Sequence, residues 1–141
     1  MTYLLDTCII ANLISTTPNP RLVEWIDSQP EEILYISVGT LAELKQVIES
    51  TPSSKERARM NNWLTNDLMV RFNGRISEIT AEATLKWGEI SARIHGQSRS
   101  INPLDSLTLA LAIIYNHTLV TTNLSAFDGM GVRLLNPVTI H

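Results

Sequence analysis

At 141 residues the chain is long enough to enclose a hydrophobic core. Its 44% hydrophobic and 18% charged content excludes a disordered polymer, and no apolar run approaches the length of a membrane span. A net charge of −3 argues against a broad electrostatic grip on nucleic acid, although eight of the eleven basic residues fall between Lys55 and Arg99.

The first element is a strand over residues 2–6, an apolar run stopped by Asp6-Thr7. Ile9, Ile10, Leu13 and Ile14 follow at helical spacing until Thr16-Thr17-Pro18 breaks the pattern. Leu22, Val23, Trp25 and Ile26 predict a second short helix that stops near Ser28-Gln29-Pro30. Ile33 to Ser37 reads as the second strand, and Thr40 to Ile48 as a helix with Leu41, Leu44 and Ile48 on one stripe. Thr51 to Ser54 is a turn before a helix from Lys55 to Phe72, and the two helices together make a projecting, basic hairpin. Arg75 to Ile79 is the third strand, and Thr80 to His95 a helix with Ala83, Trp87, Ile90 and Ile94 on one face. After a polar loop comes a buried helix, Pro103 to Ile114, then a fourth strand from His117 to Asn123 and a short fifth over Val132–Leu135. Strands alternating with helices predict βαβ units, hence a three-layer α/β/α fold on a parallel sheet of four to five strands. No repeat or composition shift divides residues 1–141, so a single domain is expected.

The one cysteine, Cys8, excludes an internal disulfide and suits a reducing compartment. No secretory leader is visible, so the cytoplasm is the expected location. The thiol has no histidine in its motif, and apolar packing is the expected role. His95, His117 and His141 lack ligand spacing, and His117, just after a helix, reads as a partner of the helix dipole. Trp25, Trp63 and Trp87 stand at apolar helical positions that suit a core.

Three carboxylates stand out by position. Asp6 ends a strand, where α/β sheets collect their chemistry, yet it equally suits a helix cap. Thr40-x-x-Glu43 has the form of a capping box, and Asn102-Pro103-Leu104-Asp105 that of an N-cap, a first-turn proline and a dipole-facing acid. Against the purely structural role, Glu43 is one turn from Val47 at the edge of an apolar stripe. Asp105 lies on a helix with almost no polar face and has no nearby Lys or Arg, and Lys45 points away from Glu43 by helical geometry. Buried carboxylates must be paired or bound to a cation, and oxygen-only ligands select Mg²⁺ or Mn²⁺.

Leu4-Leu5-Asp6-Thr7, the helical Ala42-Glu43-Leu44, Asp105-Ser106-Leu107-Thr108-Leu109-Ala110 and Leu119-Val120-Thr121-Thr122-Asn123 stand in order along the chain. With Phe127 and Asn136-Pro137 after them, they resemble the motifs of the PIN domain, in particular VapC toxins of the FitB-like branch. That resemblance implies a Mg²⁺- or Mn²⁺-dependent endoribonuclease, the toxin of a type II toxin–antitoxin pair. It implies a homodimer silenced by a small VapB-like antitoxin, with no membrane role. The matching positions are Asp6, Glu43 and Asp105 as catalytic and metal-holding acids, with Asn123 in the fourth metal place. Asp6 and Asp105 would bind metal directly, while Glu43 would bind it directly or through water and take a proton from the attacking water. The chain departs from the pattern at Cys8, where Asn is common, at Thr122 in place of Arg, and at Asn123 in place of Asp. Ala126 also stands where many relatives carry an acid. RNA phosphates would meet some of Arg71, Arg75, Arg93 and Arg99. Two other readings share the acids: a Mg²⁺-dependent phosphatase or nuclease on another phosphate ester, and a PIN-like binding module with weakened catalysis.

Overall fold

In the computed structural model, which describes residues 1–139, short strands lead into helices from the first residues onward. The elements run β1 (Tyr3–Leu5), α1 (Thr7–Leu13), α2 (Pro20–Ser28), a 3₁₀ turn (Glu31–Ile33), β2 (Leu34–Ser37) and α3 (Val38–Glu49). They continue with α4 (Ser54–Trp63), a π-helical turn (Leu64–Leu68), α5 (Met69–Arg71), β3 (Ile76–Ser77) and α6 (Ala81–Gly96). The chain closes with α7 (Pro103–Ile114), β4 (Thr118–Val120), α8 (Leu124–Phe127) and β5 (Arg133–Leu135). His141, noted in the sequence, lies outside the described residues.

The five strands form one parallel sheet in the order β3-β2-β1-β4-β5, as the alternation of strands and helices predicts. Side chains alternate between its faces with period two. Leu5, Val120, Leu34 and Ile36 therefore share one face, where they meet Ile9 and Ile10 of α1, Leu22 and Ile26 of α2, and Leu44 and Ile48 of α3. Leu4 and Leu119 occupy the other face, against Ala83, Ile90 and Ile94 of α6 and Leu107 and Leu111 of α7. Burying each such side chain contributes about 1.5–3 kcal/mol, so both helical layers are held mainly by apolar contact. This is the three-layer architecture expected from the sequence.

Several boundaries differ from expectation, each for a local reason. The strand predicted over Arg75–Ile79 shrinks to Ile76–Ser77, because β3 is an edge strand and Glu78 and Ile79 turn out to solvent. The strand predicted through Asn123 pairs only to Val120, after which the Thr121 hydroxyl is drawn to Asp6. The helix predicted over Lys55–Phe72 contains a π turn, in which the Met69 N–H reaches back five residues to the Leu64 carbonyl while Leu64 and Leu68 stay buried. Before that turn, α4 has no fully buried residue, although Met60 and Trp63 pack partly buried against the core.

His117 is not the charged dipole partner the sequence suggested. Its ring is 5% exposed, accepts or donates at Thr2 Oγ1 (2.6 Å) and Ser77 Oγ (3.3 Å), and lies against Tyr35. Burial lowers its pKa to about 4, so the imidazole is neutral. Trp25 packs edge-on against Tyr3, and the Trp87 indole donates to Ser106 Oγ at 2.8 Å, in line with structural roles. Among the described residues, no helix is long and apolar enough to cross a membrane.

Candidate active site

The sheet order reverses its direction of growth at β1: β2 and β3 lie to one side, β4 and β5 to the other. Such a switch point leaves a crevice at the carboxyl ends of the flanking strands. Asp6 follows β1 there, and its N–H is bound to the carbonyl of Val120, the last residue of β4, at 2.9 Å. Asp6 is also the N-cap of α1, with Oδ1 accepting from the Thr7 N–H at 2.9 Å. Its Oδ2 accepts from the Thr121 hydroxyl at 2.9 Å and from the Cys8 thiol at 3.7 Å. Capping thus occupies one oxygen, while hydroxyl and thiol orient the other. Burial raises the Asp6 pKa, with the Thr121, Thr7 and Cys8 hydrogen bonds pulling it back down.

Glu43 is delivered by α3, but not through a capping box. The N-cap is Ser37, the last residue of β2, whose Oγ accepts from the Thr40 N–H at 3.2 Å. Thr40 is therefore inside the helix and Glu43 lies in its second turn. Val47 does not draw Glu43 inward either, since it is exposed. The hydroxyl of Thr7 orients Glu43 instead, donating to Oε1 at 3.1 Å and to Thr40 Oγ1 at 3.0 Å with a single shared hydrogen. Burial raises the Glu43 pKa, the charge of Asp105 raises it further, and Asp6 adds to the effect against the Thr7 hydrogen bond.

Asp105 lies in the first turn of α7, where the sequence placed it. The Asn102 side chain caps that helix by accepting from the Leu104 N–H at 2.8 Å, and Pro103 opens it. Because α7 runs back to the start of β4, its N-terminus stands at the same sheet edge as Asp6. Burial raises the Asp105 pKa and the Asp6 charge adds to it. The three acids therefore feel one another, and none forms an ion pair among the described residues. Lys45, as expected, turns away to Glu49 at 2.9 Å. Among the described residues, no three His, Cys, Asp or Glu side chains are gathered into a ready-made metal cluster.

Asn123 is exposed; its N–H donates to Thr121 Oγ1 at 3.1 Å and its Oδ1 accepts only a long bond from Ser125 at 3.4 Å. Most of the arginines singled out in the sequence have structural partners. Arg71 pairs with Glu31, and Arg75 donates to the Glu31 and Leu34 carbonyls at the start of β2, away from the acids. Arg99 donates to the carbonyls of Ser125, Ala126 and Asp128, while Arg93 is exposed on α6. Thr7, Ser37 and Thr121 were not assigned roles from sequence, although each is a hydroxyl residue at the end of an apolar strand and Thr7 and Thr121 fall within the motifs quoted there. A cleft of about 560 Å³ lined by Thr2, Tyr35, Ser77, Tyr115 and His117 contains none of the acids.

An α/β/α fold with carboxylates near its topological switch point belongs to the class that does chemistry at the carboxyl ends of parallel strands. Within that class the model of the PIN domain matches residues 3–130, and the chain belongs to the PIN domain family. It is similar to the VapC ribonuclease Y4jK of Sinorhizobium fredii, with 28% identity over 94% of this chain and 95% of that protein. It is also similar to the toxin FitB of Neisseria gonorrhoeae, with 27% identity over 95% of this chain and 96% of FitB. The crystal structure of FitAcB from Neisseria gonorrhoeae superposes with a TM-score of 0.90 at 26% identity, covering 99% of this chain and 100% of that one.

Proposed function

We propose that the chain is a divalent-metal-dependent endoribonuclease, the toxin of a toxin–antitoxin pair. The observation that carries this reading is the convergence of Asp6, Glu43 and Asp105, all with pKa values raised by burial, on one sheet edge. Similarity to a VapC ribonuclease supports the RNA substrate, and similarity to the toxin FitB and to the FitAcB structure supports a VapB-like antitoxin as partner. A homodimer belongs to the same reading.

The donor set fits a hard cation: three carboxylates with hydroxyl oxygens around them, and no Lys or Arg paired to any of the three among the described residues. Asp6 and Asp105 would hold Mg²⁺ or Mn²⁺ directly, Glu43 directly or through water, and the Asn123 amide oxygen would be the neutral fourth donor. Such an ion, when bound, supplies positive charge to a phosphate oxygen and acidifies water. Thr7 holds Glu43 Oε1, which leaves Oε2 to take the proton from the water that attacks phosphorus. Thr121 fixes the position of Asp6 Oδ2 by donating to it.

Purified protein should cleave a structured RNA with Mn²⁺ and stop when EDTA is added. Asp6→Ala should abolish cleavage while the far-UV circular dichroism stays unchanged. Full activity in Asp6→Ala would sink the assignment, and a preference for phosphomonoesters over RNA would move it to another phosphate-ester hydrolase. The exposed, neutral Asn123 favours one competing reading, a binding module with weakened catalysis. That reading predicts antitoxin binding without RNA cleavage at any metal concentration.

A further inference from the structure

Three carboxylates on separate elements repel one another, so the elements must be held together by contacts elsewhere. Gly39 lies one turn before Glu43 on α3. A Cβ added there would come to 3.2 Å from Thr108 Oγ1, 3.4 Å from Ser37 Oγ and 3.5 Å from the Leu104 carbonyl oxygen. Leu104 and Thr108 belong to α7 and bracket Asp105. The missing side chain therefore lets the α3 backbone press against the very turn that carries the second acid. Ser37 Oγ and Thr108 Oγ1 are joined by a buried hydrogen bond of 3.2 Å, and the same Ser37 Oγ caps α3. Thr108 is a fully buried hydroxyl among Leu107, Leu109 and Leu111, where an aliphatic residue would pack without needing a partner.

We propose that Ser37, Gly39 and Thr108 form a clasp between α3 and α7 that fixes the separation of Glu43 and Asp105. All three are positioning residues of the site. The proposal rests on the reading of Asp6, Glu43 and Asp105 as the metal-holding acids. An alanine methyl at position 39 meets a side chain that is buried and hydrogen-bonded, and because that bond resists its turning away, we infer that α3 and α7 give by a few tenths of an ångström to admit it. The carboxylates they carry then separate as well.

The test measures Mn²⁺ binding by calorimetry and the kcat and KM of RNA cleavage on variants shown to be folded by circular dichroism. Gly39→Ala should weaken Mn²⁺ binding about tenfold, the cost of disturbing the groups that orient metal ligands, and lower kcat with the KM for RNA little changed. Gly39→Ala combined with Thr108→Ala removes the atom nearest the new methyl together with the hydrogen bond of the clasp, so it should bind Mn²⁺ no more weakly than Thr108→Ala alone. Thr108→Ser, which keeps the hydroxyl, should bind as wild type. If Gly39→Ala does not fold, Thr108→Val keeps the side-chain shape and removes only the hydroxyl, and it should still weaken Mn²⁺ binding. Asp105→Asn separates the two levels of the argument. If Asp105→Asn loses Mn²⁺ while Gly39→Ala and Thr108→Val bind as wild type, the clasp is wrong and the acid site stands. If Asp105→Asn binds Mn²⁺ as wild type, the acid-site reading falls and the clasp falls with it. A double variant that binds Mn²⁺ more weakly than Thr108→Ala alone also overturns the clasp.

Discussion

Asp6 serves two purposes at once, and its two oxygens divide them. Oδ1 caps α1, a task an asparagine performs equally well, while Oδ2 is held by the Thr121 hydroxyl and the Cys8 thiol. Asp6→Asn should therefore abolish RNA cleavage yet melt at the same temperature as wild type or higher in metal-free buffer, because a repelling buried charge is gone. A melting temperature several degrees lower would show that the charge itself stabilises the fold. Thr121→Val tests the hydroxyl: cleavage should fall about 10–100-fold, while unfolding free energy drops by about 1 kcal/mol for the lost hydrogen bond. Steady-state kinetics and urea titration separate the two effects. The acids were legible in the sequence because a carboxylate at a strand end or beside an apolar stripe is conspicuous. The threonines were not, since hydroxyl residues are common and the Thr121–Asp6 bond spans 115 positions of sequence.

At the level of elements, what could be read was what apolar periodicity writes. The strands, α3, α6 and α7 each bury a regular stripe, so their existence and order were visible and only their ends shifted. The elements that escaped are those whose cause is remote. The helix α8 is four residues long, and the carbonyls at its end are met by Arg99 from the loop between α6 and α7. The π turn keeps both Leu64 and Leu68 buried after a helix, α4, that has no fully buried residue. The capping-box pattern at Thr40 misled because Ser37 starts the helix one turn earlier. Arg99 also shows how a basic residue is misassigned from composition: its guanidinium is committed to backbone carbonyls rather than free for phosphate. Arg99→Ala should lower unfolding free energy by about 1–2 kcal/mol, the scale of charge-assisted hydrogen bonds at a half-exposed site. The salt dependence of RNA cleavage should not change, whereas loss of a phosphate contact would flatten it.

Across the whole molecule, buried ionisable groups at the two ends of the strands pull stability in opposite directions with pH. The acids at the carboxyl end have raised pKa values, so the folded state holds their protons more tightly than the unfolded chain. Their contribution is present at low pH and is lost as pH rises through the folded values; bound Mn²⁺ would offset that loss. His117, just before β4, does the reverse. Its pKa falls from 6.5 to about 4 in the folded protein, so the unfolded chain takes up the proton first as the solution is acidified. Its contribution is complete above 6.5 and is withdrawn on acidification toward 4. At about 1.4 kcal/mol per pKa unit, wild type should lose roughly 2 kcal/mol more than His117→Asn between about pH 7 and about pH 5. The acids are common to both proteins and cancel in that difference. Urea titrations of each protein at the two pH values measure it directly, because the lost packing against Tyr35 lowers the variant equally at both. Parallel pH slopes would mean that His117 takes up its proton at the same pH in the folded and unfolded states, so that burial does not hold the ring neutral.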